Sequence, residues 1–180
     1  GQIDSTQNGE NNDLTTLMVN NRYGLVTKSI DPLGNATQVQ YDDFGMPTAV
    51  TDPLGNTTSN YFDSVKGYLL STTDTNGTST LFEYNTKGDL TAVISNYRPV
   101  IGQNKDPNTN PDLSKTTFAY NVHGDLTSTT DTKGVVRTFA YDANGNRIGS
   151  SFSWTDPNNS SNTQTISTSS IYDAADQPIA

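Results

Sequence analysis

The sequence predicts an all-β fold of tandem antiparallel β-hairpins joined into one continuous twisted sheet. Three observations predict it. Two turn signals alternate along most of the chain, with a period of about twenty residues. The segments between them have strand length and alternate in polarity at period two. Thr, Asn and Ser together exceed a third of the 180 residues, whereas only 31% are apolar. That composition disfavours long amphipathic helices, because these side chains compete for backbone hydrogen bonds, and it suits Thr-rich strands between many turns. Nine Tyr and six Phe, recurring at fixed phase, separate the chain from a solvated linker.

Residues 1–19 read as a polar lead-in, with an irregular strand expected over Leu14–Val19. From Asn20 to the last residue the repeat takes over. Its four marks are a Tyr, a Gly four residues on, an Asp seven later and a second Gly three beyond that. Asn20, Gly24, Asp31 and Gly34 form the first unit, with Asn in the Tyr position. Tyr41, Gly45, Asp52 and Gly55 form the second, with Pro53 inside its second turn. Tyr61, Gly67, Asp74 and Gly77 read as the third, with two extra residues in its first turn. Tyr84 and Gly88 open the fourth, where Ser95 takes the Asp position. Tyr120, Gly124, Asp131 and Gly134 form the fifth. Tyr141 and Gly145 open the sixth, and Tyr172 and Asp173 a truncated seventh.

The chemistry of each mark is that of a turn. In Asp52-Pro53-Leu54-Gly55 the Asp caps, Pro presets φ, and Gly accepts the left-handed conformation that closes a type I turn with a bulge. Tyr-Asp-x-x-Gly at 41–45 and 141–145 is a second turn of the same kind. Asn85 and Asn121 stand in for its Asp. Before each Tyr a large residue two positions back shares its face, as in Val39–Tyr41, Phe82–Tyr84, Phe118–Tyr120 and Phe139–Tyr141. Two insertions break the phase. That at about 97–115 is rich in Pro and Asn and reads as a surface excursion. That at about 150–169 reads as a hairpin with longer strands, through Phe152 and Trp154 and back through Thr165 and Ile166.

Composition excludes several functions. The net charge of −9 and the absence of Lys/Arg clusters argue against nucleic acid and anionic membrane surfaces as partners. No apolar run approaches the roughly 20 residues of a spanning helix. Without cysteine there is neither a disulfide framework nor a thiolate zinc site. With neither an initiator Met nor a signal-peptide core, the sequence reads as a mature product or an excised fragment.

The alternation of Tyr-Asp-x-x-Gly with Asp-Pro-x-Gly resembles the YD repeat of the Rhs family. That family takes in bacterial Rhs polymorphic toxins, wall-associated proteins, the cocoon proteins of toxin complexes, and teneurins. The resemblance covers residues 20–180 and is most specific over Asn35–Asn56 and Thr117–Arg147. It implies a long sheet that spirals into a hollow shell, or an open repeat array where too few units are present to close one. The Gly-Arg-Leu that follows the family's Tyr-Asp turn has its nearest versions in Asp125-Leu126 and Asn146-Arg147-Ile148. Nothing matches the site where family members cleave themselves, so only the scaffold role carries over.

Residues that could carry chemistry have structural readings beside the functional ones. His123 next to Asp125 lacks a phased nucleophile and reads as turn decoration. Asp31, Asp52, Asp74 and Asp131 could form a calcium ladder, but their spacing is that of the turns. Glu occurs only at 10 and 83, which leaves little for paired-carboxylate catalysis. Neither a metal nor a cofactor is expected.

The expected function is therefore a structural scaffold of a secreted or cell-surface protein, either a shell segment or a self-assembling subunit. Its partners would be further YD repeats, of the same or neighbouring chains, joined through open sheet edges. The alternative is a carbohydrate-binding adhesion module. In it Trp154, Phe152 and Tyr97, which lie in or beside the insertions, would stack on glycans. An enzyme is the least supported reading.

Overall fold

The structure, a computed structural model, describes residues 15–98, 113–156, 159–173, 175 and 177–179, with the backbone alone at 155, 156 and 159–162. Thirteen strands stand in one open antiparallel sheet in the order of the sequence. They are β1 (Leu17–Asn20), β2 (Val26–Ile30), β3 (Ala36–Tyr41), β4 (Pro47–Thr51), β5 (Thr57–Phe62), β6 (Leu69–Thr73) and β7 (Ser79–Tyr84). Then follow β8 (Leu90–Tyr97), β9 (Ser114–Tyr120), β10 (Leu126–Thr130), β11 (Val136–Tyr141), β12 (Arg147–Asp156) and β13 (Asn159–Ser169). By packing, the chain divides into two compact units, Gly1–Asn60 and Tyr61–Ala180.

Two hairpin types alternate. In the Asp-Pro-x-Gly type the ladder runs unbroken to the turn, as in Lys28↔Gln38, Ser29↔Thr37 and Ile30↔Ala36. The turn closes through Gly55 N to Asp52 O at 3.0 Å and Asp52 N to Asn56 O at 2.9 Å. Asp52 Oδ1 accepts from the Leu54 and Asn56 amides, and Gly55 holds φ 85°. That backbone is a type I turn followed by a left-handed residue, which an L side chain would strain.

The Tyr type shares the turn but adds a bulge. Gln40 pairs with Ala49 and Tyr41 with Pro47, so Thr48 is left over. The same slip leaves over Thr27, Thr91, Thr127 and Ile148. At three of these bulges the Thr hydroxyl donates across the strand pair: Thr27 to Val19 O, Thr91 to Glu83 O and Thr127 to Ala119 O, each at 3.1 Å. A threonine at the bulge thus supplies a hydrogen bond where the ladder is broken.

The bulge also explains the tyrosines. Each half-buried repeat Tyr donates its phenol O–H to the carbonyl of the first residue of the preceding strand. Tyr41 reaches Val26 O at 2.8 Å, Tyr84 reaches Leu69 O at 3.0 Å, and Tyr120 reaches Leu90 O at 2.9 Å. Tyr141 reaches Leu126 O at 2.9 Å, and Tyr172 reaches Arg147 O at 3.3 Å. Each such bond is worth about 0.5–1.5 kcal/mol net, and each ties its Tyr-type turn to the hairpin before it.

Two expectations need correcting. Tyr61 does not hold the repeat position of the third unit; Phe62, seven residues after Gly55, does. Tyr61 is 67% exposed and shares the outward phase of Gln40, Glu83, Ala119 and Ala140. The turn that follows, Asp63 to Gly67, is one residue longer than its fellows, not two. Phe62 has no hydroxyl, and Asn60, two residues before it, donates its side-chain amide to Pro47 O at 3.0 Å instead. Ser95 does not begin a turn: β8 runs on through it to Tyr97, and Ser95 pairs with Ser114 of β9. Within the lead-in, where a strand is expected over Leu14–Val19, β1 spans Leu17–Asn20 and pairs with β2.

Only a small patch is deeply buried among the described residues. Ile94, Tyr97 and Leu113 cluster with Leu81, and Ala92 and Ser79 are also buried. Most strand residues are half-buried, so cohesion comes from ladders, bulge bonds and tyrosine locks between neighbouring strands rather than from a central core. Of the 97–115 insertion, residues 99–112 lie outside the described residues. The second insertion is a long hairpin of 10 and 11 residues, with Phe152 opposite Ile166 and Trp154 opposite Gln164.

Candidate functional site

Because the two hairpin types alternate, the Tyr-type turns of each unit fall on one rim, each two strands from the next. A groove lies between neighbouring turns. Its floor is the start of one strand and the Tyr-bearing end of the next, and its character is set by the residue following the first turn's Gly. In four grooves that each lie within a single unit, that residue is Leu25, Tyr68, Asp89 or Asp125.

The four differ in how they are filled. Between the 63–67 and 85–88 turns the Tyr68 ring stacks on Tyr84, with centroids 4.9 Å apart and planes tilted by 30°. Its hydroxyl end lies against Gly88, so closely that a Cβ there would overlap the phenol oxygen and stand 3.0 Å from Cζ. The Lys66 ammonium lies 5.7 Å from the Tyr68 ring centroid. The next groove is bridged by Lys87, whose Nζ donates to Val122 O at 3.0 Å. Burial, followed by the negative charge of Asp89, raises the pKa of the Tyr120 phenol beside it, so this lock stays protonated.

The other two grooves are open. One, of about 700 Å³, lies between the 21–24 and 42–45 turns and is flanked by Tyr23 and Phe44, both strongly exposed. Leu25 partly fills it, with Cδ1 3.4 Å from where a Cβ on Gly45 would sit, and Arg22 covers the Tyr23 ring at 4.6 Å. The other, of about 550 Å³, lies between the 121–124 and 142–145 turns and is lined by His123, Asp125, Tyr141 and Asp142 among others. Nothing stands within 4 Å of a Cβ built on Gly145.

The acidic residues of these turns work as caps. Asp31, Asp52 and Asp142 each accept two amides on Oδ1 and the side-chain amide of the Asn four residues on at Oδ2. In the 85–89 and 121–125 turns the order is reversed: Asn85 and Asn121 cap, and donate to Asp89 and Asp125 at 2.9 and 2.8 Å. The Asn35 and Asn56 donors hold the Asp31 and Asp52 carboxyls below the usual carboxylate range, and the Lys66 amide does so for Asp63. At Asp142 partial desolvation pushes upward, but the Asn146 side chain and the turn amides leave the pKa lowered. Asp125 is therefore engaged by Asn121 rather than by His123, whose backbone amide also caps onto Asn121.

Sequence reasoning placed Tyr41, Tyr84, Tyr120 and Tyr141 and the glycines at 45, 55, 88, 124, 134 and 145, and each of these glycines holds a positive φ in its turn. It missed the carbonyl each Tyr reaches and the grooves between turns. The three aromatic residues considered for ligand binding do not come together on one surface. Tyr97 is 9% exposed and packs with Ile94 and Leu113, so its ring is not offered to solvent. Phe152 is half-buried, with the Arg137 guanidinium 5.3 Å from its centroid, and Trp154 on the same strand face is 42% exposed.

Alternating plain and bulged hairpins, locked by a phased tyrosine, define a class: an antiparallel β-repeat protein. The RHS Repeat family profile matches residues 21–57 and 114–151, so these two stretches carry the repeat of the Rhs/YD family. No curated protein matches the sequence. Among solved structures the chain is similar to a crystal structure of TcdB2-TccC3-TEV, with a TM-score of 0.66 and 20% identity, covering 94% of this chain and 9% of that one. It is also similar to one of TcdB2-TccC3, with a TM-score of 0.53 and 18% identity over 94% of this chain and 10% of that one. The chain thus spans about a tenth of the chains it matches, and the likeness is one of fold.

Proposed function

We propose that the chain is a structural segment of a secreted or cell-surface Rhs-type scaffold, a stretch of shell wall or surface array extended by further repeats. The observation that carries this reading is the neighbour-only locking. Each repeat Tyr closes onto the strand before it, so units can be added at an outer strand without changing those already present. The outer strands β1 and β13 each have one partner in the described sheet, and Leu17, Met18 and Val19 of β1 are exposed. Such a strand offers amides and carbonyls to another strand. Further repeats of the same or a neighbouring chain are the proposed partners, and the likeness in fold to a stretch of TcdB2-TccC3 supports a repeat scaffold.

The test is to append one hairpin copied from residues 121–141 ahead of Leu17. Under the scaffold reading the melting temperature rises, because the new unit is locked to β1. No gain, with the added residues exchanging their amide hydrogens freely, would overturn it. For the self-assembling variant, electron microscopy of the purified chain should show filaments, and a monodisperse monomer at high concentration would sink that version alone.

A further inference from the structure

The groove between the 121–124 and 142–145 turns has a filled counterpart in the same unit of the molecule. Position by position, Asp125 stands where Tyr68 stands, Tyr141 where Tyr84 stands, and Gly145 where Gly88 stands. Tyr84 and Tyr141 make the same lock, to Leu69 O and Leu126 O, so both grooves have the same floor. In the filled groove a phenol ring stacks on the repeat tyrosine and ends against the bare glycine. In the open one Asp125 brings no ring to Tyr141, and the space over Gly145 is empty within 4 Å of a built Cβ. About 550 Å³ is left between the turns, enough for a ring and the backbone that carries it.

We propose that this groove binds a tyrosine side chain presented by an extended segment of another polypeptide. The chain itself shows the chemistry: Tyr68, the occupant of the filled groove, is a tyrosine carried in at the start of a strand. Stacking on Tyr141 supplies the ring contact. Asp125 and His123 line the groove with acceptors for the phenol O–H, which aliphatic side chains lack. The proposal does not depend on the scaffold reading, since it concerns the turn rim rather than the outer strands.

Amide NMR of the full chain tests it, with N-acetyl-tyrosinamide as the probe and N-acetyl-leucinamide as the control. The expected result is a saturable, tyrosine-selective shift of the Asp125, Asn144 and Gly145 amides. Asp125→Tyr should abolish it by filling the groove from within. Tyr68→Ala should add a second responding set around Gly88, so a poorly folded Asp125 variant would not leave the question open. Equal response to the leucine control, shifts centred elsewhere, or no shift at tens of millimolar would each overturn the proposal.

Discussion

Two grooves of the second unit rest on the same kind of tyrosine lock and differ at the residue that follows the first turn's glycine. In one, Tyr68 fills the space between turns; in the other, Asp125 leaves it empty. The lock is thus independent of the filling. A repeat keeps its turn residues and a donor to the preceding strand, Tyr or its Asn60 substitute, but the residue after the turn glycine can be ring, aliphatic or acid without disturbing the ladder. That position is where one unit can differ from its neighbours at little structural cost.

The largest expected effect separates the two grooves through their glycines. Both Gly88 and Gly145 are left-handed, with φ of 97° and 87°. Alanine at either should cost about 1 kcal/mol of backbone strain. At Gly88 the new Cβ also collides with the Tyr68 phenol and must unseat the ring from Tyr84. Gly88→Ala should therefore cost about 3 kcal/mol in urea unfolding, against about 1 kcal/mol for Gly145→Ala. Similar losses at both sites would mean that Tyr68 does not hold its groove closed.

Removing the lock itself should act alike in both. Tyr84→Phe and Tyr141→Phe each leave a carbonyl, Leu69 O or Leu126 O, without its phenol donor. A loss of about 1 kcal/mol is expected for each. The sequence already contains this substitution once, at Phe62, with Asn60 supplying the donor to Pro47 O. Asn60→Ala should then cost about the same as Tyr→Phe elsewhere, whereas Ser or Ala substituted for Tyr61, which points outward, should change little. A large effect at Tyr61 would reverse the assignment of the repeat position.

That assignment shows what the sequence made legible. The turns could be read because each depends on residues within four positions: Asp or Asn to cap, Gly to turn left-handed, Pro to fix φ. The strands followed from the spacing between turns. Tyr61 misled because residue identity was weighed above distance, though Gly34 to Tyr41, Gly77 to Tyr84 and Gly134 to Tyr141 all span seven residues, as Gly55 to Phe62 does. The reversal of Asp and Asn between turns, Asp52/Asn56 against Asn85/Asp89, was also visible at spacing four and went unread. The grooves were not legible. They arise between turns some twenty residues apart, at a depth set by bulges whose position depends on strand pairing.

Acid should expose a contrast in the caps shared by every turn. Lowered Asp31, Asp52, Asp63 and Asp142 pKa values mean that these carboxylates are bound more tightly, as anions, in the folded chain than in the unfolded one. A carboxyl whose folded pKa lies below its unfolded value contributes stability above the unfolded value, near pH 4, and loses it as pH falls through the folded one. Stability carried by these four groups should be flat from pH 8 to 5 and should decline below pH 4. The pair at Asp52 and Asn56 allows that contribution to be moved rather than merely removed. Asp52→Asn keeps an acceptor for the Leu54 and Asn56 amides, as Asn85 does for Lys87 and Asp89, but sets two side-chain amides against each other. A small fall in melting temperature at pH 7 is expected, with less further loss at pH 3 than in the parent. Adding Asn56→Asp recreates the Asn85/Asp89 order, and should restore both the melting temperature and the acid sensitivity. If the double exchange stays as low as the single one, the cap depends on which end carries the charge, and the two turn orders are not equivalent.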